Sequence, residues 1–363
     1  MIAANWDNVL VLQTSFLGDL VLTLPLIAEI RRRFPVKKLS LMCTPVGEDL
    51  LQDYSAIDEI IVDDKKRQHR GWRGLRNQVA VLRQKQFTLA LTPHKSARSA
   101  YLLFQANIPH RIGFRQSKGW FLFDNRAQRD PSRHDVERNL SVLAPFGVTV
   151  EDCVRDIELV TPPEVQSSVA QKLRHLGVVG NKPAIGVNPG SVWPTKRWWV
   201  EGFAEFINLV NAQGKFQIWL FGGPEDADVV GRLLERCGGA AVNLAGKFSL
   251  RELPAAIGHC QVFVTNDSGP MHIAVARKVP TAAIFCATTP DLGFYPYSSN
   301  AIVIQKQLAC RPCTSHGGRR CPLVHENCIR QISAQTVLTA VEKLLAGKVR
   351  GDRDRFLPEF LAA

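Results

Sequence analysis

Thr265-Asn266-Asp267-Ser268-Gly269-Pro270-Met271-His272 gathers the residue types of an anion site into eight positions. It follows an apolar strand-like run, Gln261-Val262-Phe263-Val264, and precedes a helix-like run over 273–278. Asn, Asp and Ser cap helix starts, Gly accepts unusual backbone angles, and Pro suits the first helical turn. A strand ending in such a turn leaves backbone N–H groups directed at whatever lies above it, which suits a nucleotide diphosphate. Asp267 would repel a diphosphate, so it is expected either to cap the helix or to accept hydrogen bonds from sugar hydroxyls. Phosphate-binding amides beside a hydroxyl acceptor suggest a sugar nucleotide. His272, near the helix start, is either a packed helix histidine or a ligand contact.

Three other loops carry comparable chemistry. In Ser15-Phe16-Leu17-Gly18-Asp19 the acid lies where a helix begins. It is either a charge favoured by the helix dipole, at about 0.3–1 kcal/mol, or a general base. Pro189-Gly190-Ser191-Val192-Trp193-Pro194-Thr195-Lys196-Arg197-Trp198 offers backbone donors, the hydroxyls of Ser191 and Thr195, and cations at a helix start, the needs of a diphosphate. The Walker spacing is absent, and Trp198 and Trp199 read as core. Gly222-Gly223-Pro224-Glu225 places an acid just past a strand, either for ribose hydroxyls or as part of a solvated acidic turn with Asp226 and Asp228. No G-x-G-x-x-G fingerprint is present, which argues against a dinucleotide oxidoreductase.

Nine cysteines divide into two groups. Cys43, Cys153, Cys237, Cys260 and Cys286 sit in apolar settings and read as core. Cys310, Cys313, Cys321 and Cys328 cluster with His316 and His325, and could hold a structural zinc, stay as free thiols, or form disulfides. The second pair lacks the C-x₂-C spacing of a zinc ribbon.

The elements that must position these loops alternate. Strand candidates are 9–12, 39–42, 59–62 and 87–91, with helical patterns over 20–34, 46–55 and 72–84. After Thr161-Pro162-Pro163 the theme repeats: strands at 184–187, 216–221, 241–244, 262–264 and 281–285, helices over 199–213 and 334–345. Alternation of this kind predicts an α/β fold with parallel sheets covered on both faces. Ligands in such sheets bind beyond the carboxyl ends of the strands. The expectation is two Rossmann-like domains facing a central cleft, 1–170 and 171–333, followed by a carboxyl-terminal helix and tail, 334–363.

Composition narrows the setting. The chain has 363 residues, 45% hydrophobic and 21% charged, as in ordinary globular proteins. No run approaches the roughly 18 apolar residues of a membrane span. Residues 1–8 lack the basic start of a signal peptide, so a cytoplasmic protein is expected. The net charge of +12 is concentrated: thirteen Lys or Arg and no acid lie between Asp64 and Asp124, leaving about −1 for the rest (12 − 13). Such a block is either a solvated basic face or a contact for an anionic partner. Its aromatics, Trp72, Phe87, Tyr101, Phe104 and Phe114, fall mostly in apolar patterns and support base stacking weakly.

Taken together, Leu17-Gly18-Asp19 with the apolar run after it, Arg111-Ile112-Gly113-Phe114, Pro189-Gly190-Ser191 with Lys196-Arg197-Trp198, Leu220-Phe221-Gly222-Gly223, Asn243-Leu244-Ala245-Gly246 and the 265–272 loop form an ordered set. That set resembles the lipopolysaccharide heptosyltransferases of glycosyltransferase family 9 over about residues 9–340. The 265–272 loop and Pro290-Asp291 look most like the heptosyltransferase II branch. The resemblance implies a GT-B fold, ADP-L-glycero-D-manno-heptose as sugar source, and the inner core of lipopolysaccharide as acceptor. It implies Asp19 as catalytic base and Lys196 as the cation that neutralises departing ADP. Ser191, Thr195, Glu225, Asp267, Ser268, Gly269 and His272 become nucleotide-sugar contacts, and Lys95, Arg98 and Arg111 acceptor contacts. No metal cofactor is required for such a transfer. The basic block would meet the anionic acceptor and an anionic membrane surface, with peripheral attachment on the inner face of the inner membrane and no nucleic-acid partner. Two alternatives remain: another nucleotide sugar and polysaccharide acceptor, or a zinc-bearing nucleic-acid-binding protein.

Overall fold

Apolar strands and one-sided helices build two separate parallel sheets in a computed structural model that describes residues 6–178 and 182–363. Residues 1–5, which entered the signal-peptide reading, lie outside the described residues. The chain divides into two units, Met1–Glu158 and Leu159–Ala363.

The first unit runs β1 (Trp6–Leu12), α1 (Leu17–Val21), α2 (Leu24–Arg33), β2 (Val36–Cys43), α3 (Pro45–Leu51), β3 (Glu59–Val62), α4 (Gly71–Gln84), β4 (Leu89–Leu91), α5 (Ala97–Gln105), β5 (His110–Phe114), β6 (Asn125–Ala127) and α6 (Asp135–Leu140). Its sheet order is β3-β2-β1-β4-β5-β6. β1 is the central strand, fully buried from Val9 to Leu12, and pairs Val9 with both Leu39 and Leu89. Strands buried on both faces read as continuous apolar runs rather than alternations, which is why the pattern is visible in the sequence. The helix expected over 20–34 is two helices instead. Pro25 sits in the first turn of α2, where it lacks an N–H to continue α1, and the Thr23 hydroxyl bonds back to the Asp19 carbonyl at 2.8 Å.

The second unit runs α7 (Pro163–His175), β7 (Ala184–Asn188), α8 (Val200–Ala212), β8 (Gln217–Leu220), α9 (Ala227–Arg236), β9 (Val242–Asn243), α10 (Leu253–Gly258), β10 (Cys260–Asn266), α11 (Gly269–Ala276), β11 (Thr281–Phe285), β12 (Ala301–Gln305), α12 (Asn327–Arg330), α13 (Ala334–Leu345) and β13 (Glu359–Ala362). The sheet order is β13-β12-β11-β10-β7-β8-β9, parallel throughout. Val262 and Val264 of β10 face a core with Phe203, Ile207, Val337 and Val341 of α8 and α13. Burying side chains of this size stabilises by about 1.5–3 kcal/mol each.

Two placements differ from the sequence reading. The change of unit falls at 158/159 rather than near 170. The Leu159 N–H and carbonyl bond to the Ala276 carbonyl and the Arg277 side chain, so α7 lies wholly in the second unit. The segment 334–363 is not a separate appendage: α13 packs on α8, and β13 adds an edge strand to β12. Among the described residues no helix is long and apolar enough to cross a membrane.

Candidate active site

Each sheet reverses its strand order once, between β1 and β4 and between β7 and β10. At such a point the neighbouring loops diverge and leave a crevice beyond the carboxyl ends of the strands. Asp19, Lys95, Lys196 and the 265–269 loop lie beside these two points, whereas Arg111 sits at the start of β5, toward the amino-terminal end of its strand, where it bonds the Ile108 and Leu122 carbonyls.

In the first unit Asp19 sits in the first turn of α1, half-buried. The Ser15 hydroxyl and Phe16 N–H donate to its Oδ2 at 2.9 and 3.2 Å, which fixes the carboxylate at the head of the helix. Across the crevice the loop after β4 carries His94 and Lys95. Lys65 donates to the Thr14 carbonyl at 2.6 Å, and Thr14 lies 3.4 Å from His94 Nδ1. Burial, with Lys65 nearby, pushes His94 down to about 4, so this imidazole is neutral at ordinary pH.

The three acceptor candidates differ in their commitments. Arg98 grips the buried Asp63 carboxylate at 2.9 and 3.2 Å. Arg111 pairs with Asp124 at 2.6 Å and bonds the Leu122 carbonyl. Lys95 is exposed as a residue, and partial desolvation of its ammonium, with Arg129 near, lowers its pKa. Several cations of the basic block stay on the surface, among them Lys66, Arg67, Arg70, Arg73 and Arg76. The aromatics expected in apolar patterns split: Phe87 and Phe114 are core, whereas Trp72 is 72% exposed.

In the second unit the loops after β7 and β10 meet. Lys196 Nζ lies 2.6 Å from Asp267 Oδ2, and the Thr288 hydroxyl donates to the same oxygen at 2.7 Å. Asp267 therefore does not cap α11; that position belongs to Ser268, whose hydroxyl lies 3.2 Å from that of Thr265. The repulsion expected between Asp267 and a diphosphate is answered by its partner, since the pair is close to neutral. Gly269 opens α11 and is half-buried. His272 is buried, and its Nδ1 has no hydrogen-bond partner among the described residues. Burial pushes it down to about 4, against the pull of Asp267, so it is a neutral imidazole beside the ion pair.

Thr195 is buried, and its hydroxyl accepts from the Gly318 N–H at 2.7 Å. Ser191 is half-buried, and its carbonyl accepts from Arg197 Nε at 2.7 Å. Glu225 is exposed at the start of the turn before α9. Its neighbour Asp226 turns inward, accepts from the Gly223 N–H at 3.1 Å and lies 4.0 Å from Arg197. Burial raises the Asp226 carboxyl, opposed by that N–H. A side chain at Gly190 would overlap the Asp226 carboxylate, which explains the glycine. Two contributors were not among the predicted site residues. Asn266, buried, donates to the Pro189 carbonyl at 2.9 Å and accepts from the Trp198 N–H at 2.9 Å, tying both phosphate-type loops together. Thr288 lies in the loop after β11, just before Pro290-Asp291, and its own residue type gave no signal.

The zinc candidates Cys310, Cys313, Cys321 and Cys328 lie within electrostatic reach of one another: burial raises the Cys328 thiol, and the other three add to that rise. Among the described residues no group of three or more His, Cys, Asp or Glu side chains is arranged to hold a metal ion. All four are free thiols rather than disulfide partners, and Cys310 Sγ approaches His325 Nε2 at 4.0 Å.

Against known proteins, residues 76–323 match the family profile described as glycosyltransferase family 9 (heptosyltransferase). The chain is 28% identical to lipooligosaccharide heptosyltransferase 2 of Haemophilus influenzae over 356 residues, 93% of this chain and 99% of that one. In structure it resembles the family 9 glycosyl transferase of Veillonella parvula, with TM-score 0.82, 25% identity, and 95% and 99% of the two chains covered. It also resembles the Escherichia coli ADP-heptose LPS heptosyltransferase II, with TM-score 0.75, 25% identity, and 94% and 99% covered. Two doubly wound parallel-sheet units with these neighbours are the GT-B fold. With the family profile covering two thirds of its length, the chain belongs to glycosyltransferase family 9.

Proposed function

We propose that the protein is an inverting heptosyltransferase that moves L-glycero-D-manno-heptose from ADP-heptose to the inner core of lipopolysaccharide. The observation that carries this reading is the Lys196–Asp267 pair at the β7/β10 reversal, beside the first turn of α11. It sets a cation for a diphosphate and a carboxylate for hydroxyls side by side. The ammonium has three protons, so Lys196 can bond Asp267 and a phosphate oxygen together. Relatives named as heptosyltransferases, among them the Escherichia coli ADP-heptose LPS heptosyltransferase II, support the sugar and the nucleotide.

In this reading Asp19 takes the proton of the acceptor hydroxyl. The hydroxyl oxygen bonds to the anomeric carbon as the bond to the β-phosphate oxygen breaks, and ADP leaves with the electron pair. One displacement inverts the anomeric centre. Lys196 and the α11 amides meet the charge growing on the diphosphate, and that assistance calls for no metal. Ser191, Thr195, Glu225, Ser268, Gly269 and His272 line the nucleotide-sugar side; exposed Lys95 serves the acceptor side, with Arg98 beside it held by Asp63, while Arg111 is withdrawn to Asp124 at the start of β5. The basic surface around α4 meets the acceptor's phosphates and an anionic membrane on which the enzyme rests.

A thermal-shift panel of ADP-, UDP- and GDP-sugars tests the nucleotide. ADP-heptose should stabilise and the others should not. Stabilisation by a UDP- or GDP-sugar alone would transfer the enzyme to another substrate.

A further inference from the structure

We propose that the glycine pair Gly317-Gly318, in the cysteine-bearing loop after β12, positions the Lys196 side chain in the nucleotide-sugar site. This rests on the reading of Lys196 as the diphosphate cation.

Three observations carry it. Gly317 is buried while its neighbours on either side are more open, and it adopts φ +86°, where only glycine is at ease. Its α-carbon lies flat on the lysine stem: a Cβ there would come 2.8 Å from Lys196 Cγ, 3.0 Å from Cδ and 3.0 Å from Trp193 Cβ. Gly318 then exchanges two hydrogen bonds with the residue before the lysine. Its N–H donates to Thr195 Oγ1 at 2.7 Å, and the Thr195 N–H donates to its carbonyl at 3.1 Å.

The loop is itself anchored to the end of β11, the neighbour of the strand β10 that presents Asp267. The Cys313 N–H donates to the Ala287 carbonyl at 3.1 Å, and the Ala287 N–H to the Thr195 carbonyl at 3.2 Å. Arg311 donates to the Phe285 carbonyl at 2.9 Å and to that of Thr288, the residue whose hydroxyl holds Asp267. The Thr314 hydroxyl braces the Gly317 carbonyl at 2.8 Å. Lys196 is therefore pressed from one side by Gly317 and drawn from the other by Asp267. A lysine stem has many rotamers, and fixing it in advance removes part of the ordering that ligand binding would otherwise require. Gly317 and Gly318 are thus positioning residues that act through Lys196, in a loop that carries no catalytic motif of its own.

Two measurements on the full chain test this. In ligand-free protein, acetylation of Lys196 is followed by mass spectrometry. Gly317→Ala and Thr195→Val should accelerate it severalfold, and Thr195→Ser, which keeps the acceptor for the Gly318 N–H, should restore the wild-type rate. Unchanged labelling in both Gly317→Ala and Thr195→Val, with circular dichroism as in wild type, overturns the proposal. ADP affinity by calorimetry supplies the second measurement. Gly317→Ala should weaken ADP about tenfold alone and less than about twofold in a Lys196→Ala background, because a residue acting through Lys196 has nothing left to position. A full tenfold loss retained in that background would mean a general structural role and also overturns the proposal. If labelling accelerates while Lys196→Ala binds ADP as wild type does, the clasp on Lys196 stands and the diphosphate role of Lys196 is refuted.

Discussion

Removing the charge of Lys196 while keeping its stem separates what the Lys196–Asp267 pair does for stability from what it does for the nucleotide. In Lys196→Met the side chain still packs under Gly317, but Asp267 loses its cation. The pair is 2.6 Å apart, with side chains 15% and 6% exposed. At an effective dielectric of about 20 the gross attraction is about 6 kcal/mol. Desolvation of the two groups offsets much of that, so the variant should lose about 2–4 kcal/mol, reflecting a carboxylate left buried beside the Thr288 hydroxyl without its cation. Adding Asp267→Asn removes the stranded charge and keeps an amide oxygen for Thr288. The double variant should recover most of the lost stability in urea unfolding. ADP affinity behaves differently: the lysine's charge-assisted bond to phosphate contributes about 1.5–3 kcal/mol, so calorimetry should show a loss of about ten- to a hundredfold. Asp267→Asn should not repair that loss. Unfolding of Lys196→Met within about 0.5 kcal/mol of wild type would refute the buried-pair argument. Recovery of ADP affinity in the double variant would refute the assignment of the cation to the diphosphate.

Asp19→Ala should reduce turnover of ADP-heptose by about 10²–10⁴-fold with ADP affinity little changed, as expected for loss of a general base; wild-type turnover would remove Asp19 from catalysis. His272, buried and pushed down to about 4 from 6.5, makes stability pH-dependent. Between about pH 6.5 and 4 the unfolded chain takes a proton that the native imidazole refuses, so stability falls as pH falls through that window, by about 3 kcal/mol in total. His272→Gln should flatten the slope in urea titrations at pH 4–7, and an unchanged slope would contradict the buried neutral state. Replacing Arg70, Arg73 and Arg76 with Gln should weaken flotation with phosphatidylserine vesicles by about a hundredfold, at about 1 kcal/mol per charge. Equal binding by wild type and variant would detach the basic surface from the membrane.

The alternation of strand and helix was legible because the central strands are buried on both faces and so appear as unbroken apolar runs, as in 9–12, 184–187 and 281–285. The signal did not follow position alone: the apolar edge strand β3 was legible at 59–62, whereas the buried β12, Ala301–Gln305, was not among the strand candidates. β5, β6 and β13 are edge or near-edge elements with polar residues, stabilised by pairing rather than by their own pattern. The break between α1 and α2 lay in a continuous helical periodicity, and Pro25 gave a local cue that the pattern overrode. Spacing cannot say which of two adjacent acids turns inward: Asp226 does so because the Gly223 N–H and the space beside Gly190 receive it, and Glu225 remains outside.

By itself the sequence determined the alternating α/β architecture, the loops that end its strands and the ordered motifs of the family, since all of these reside in local residue types and their order. Tertiary structure decided the partnerships. Lys196 and Asp267, 71 positions apart, became an ion pair only because β7 and β10 are neighbours at a strand-order reversal. Arg98 and Arg111 were taken into pairs with Asp63 and Asp124, and the cysteine loop packs on the lysine stem through Gly317. Charge and chemistry are written along the chain, but the short distances through which they act exist only after the chain has packed.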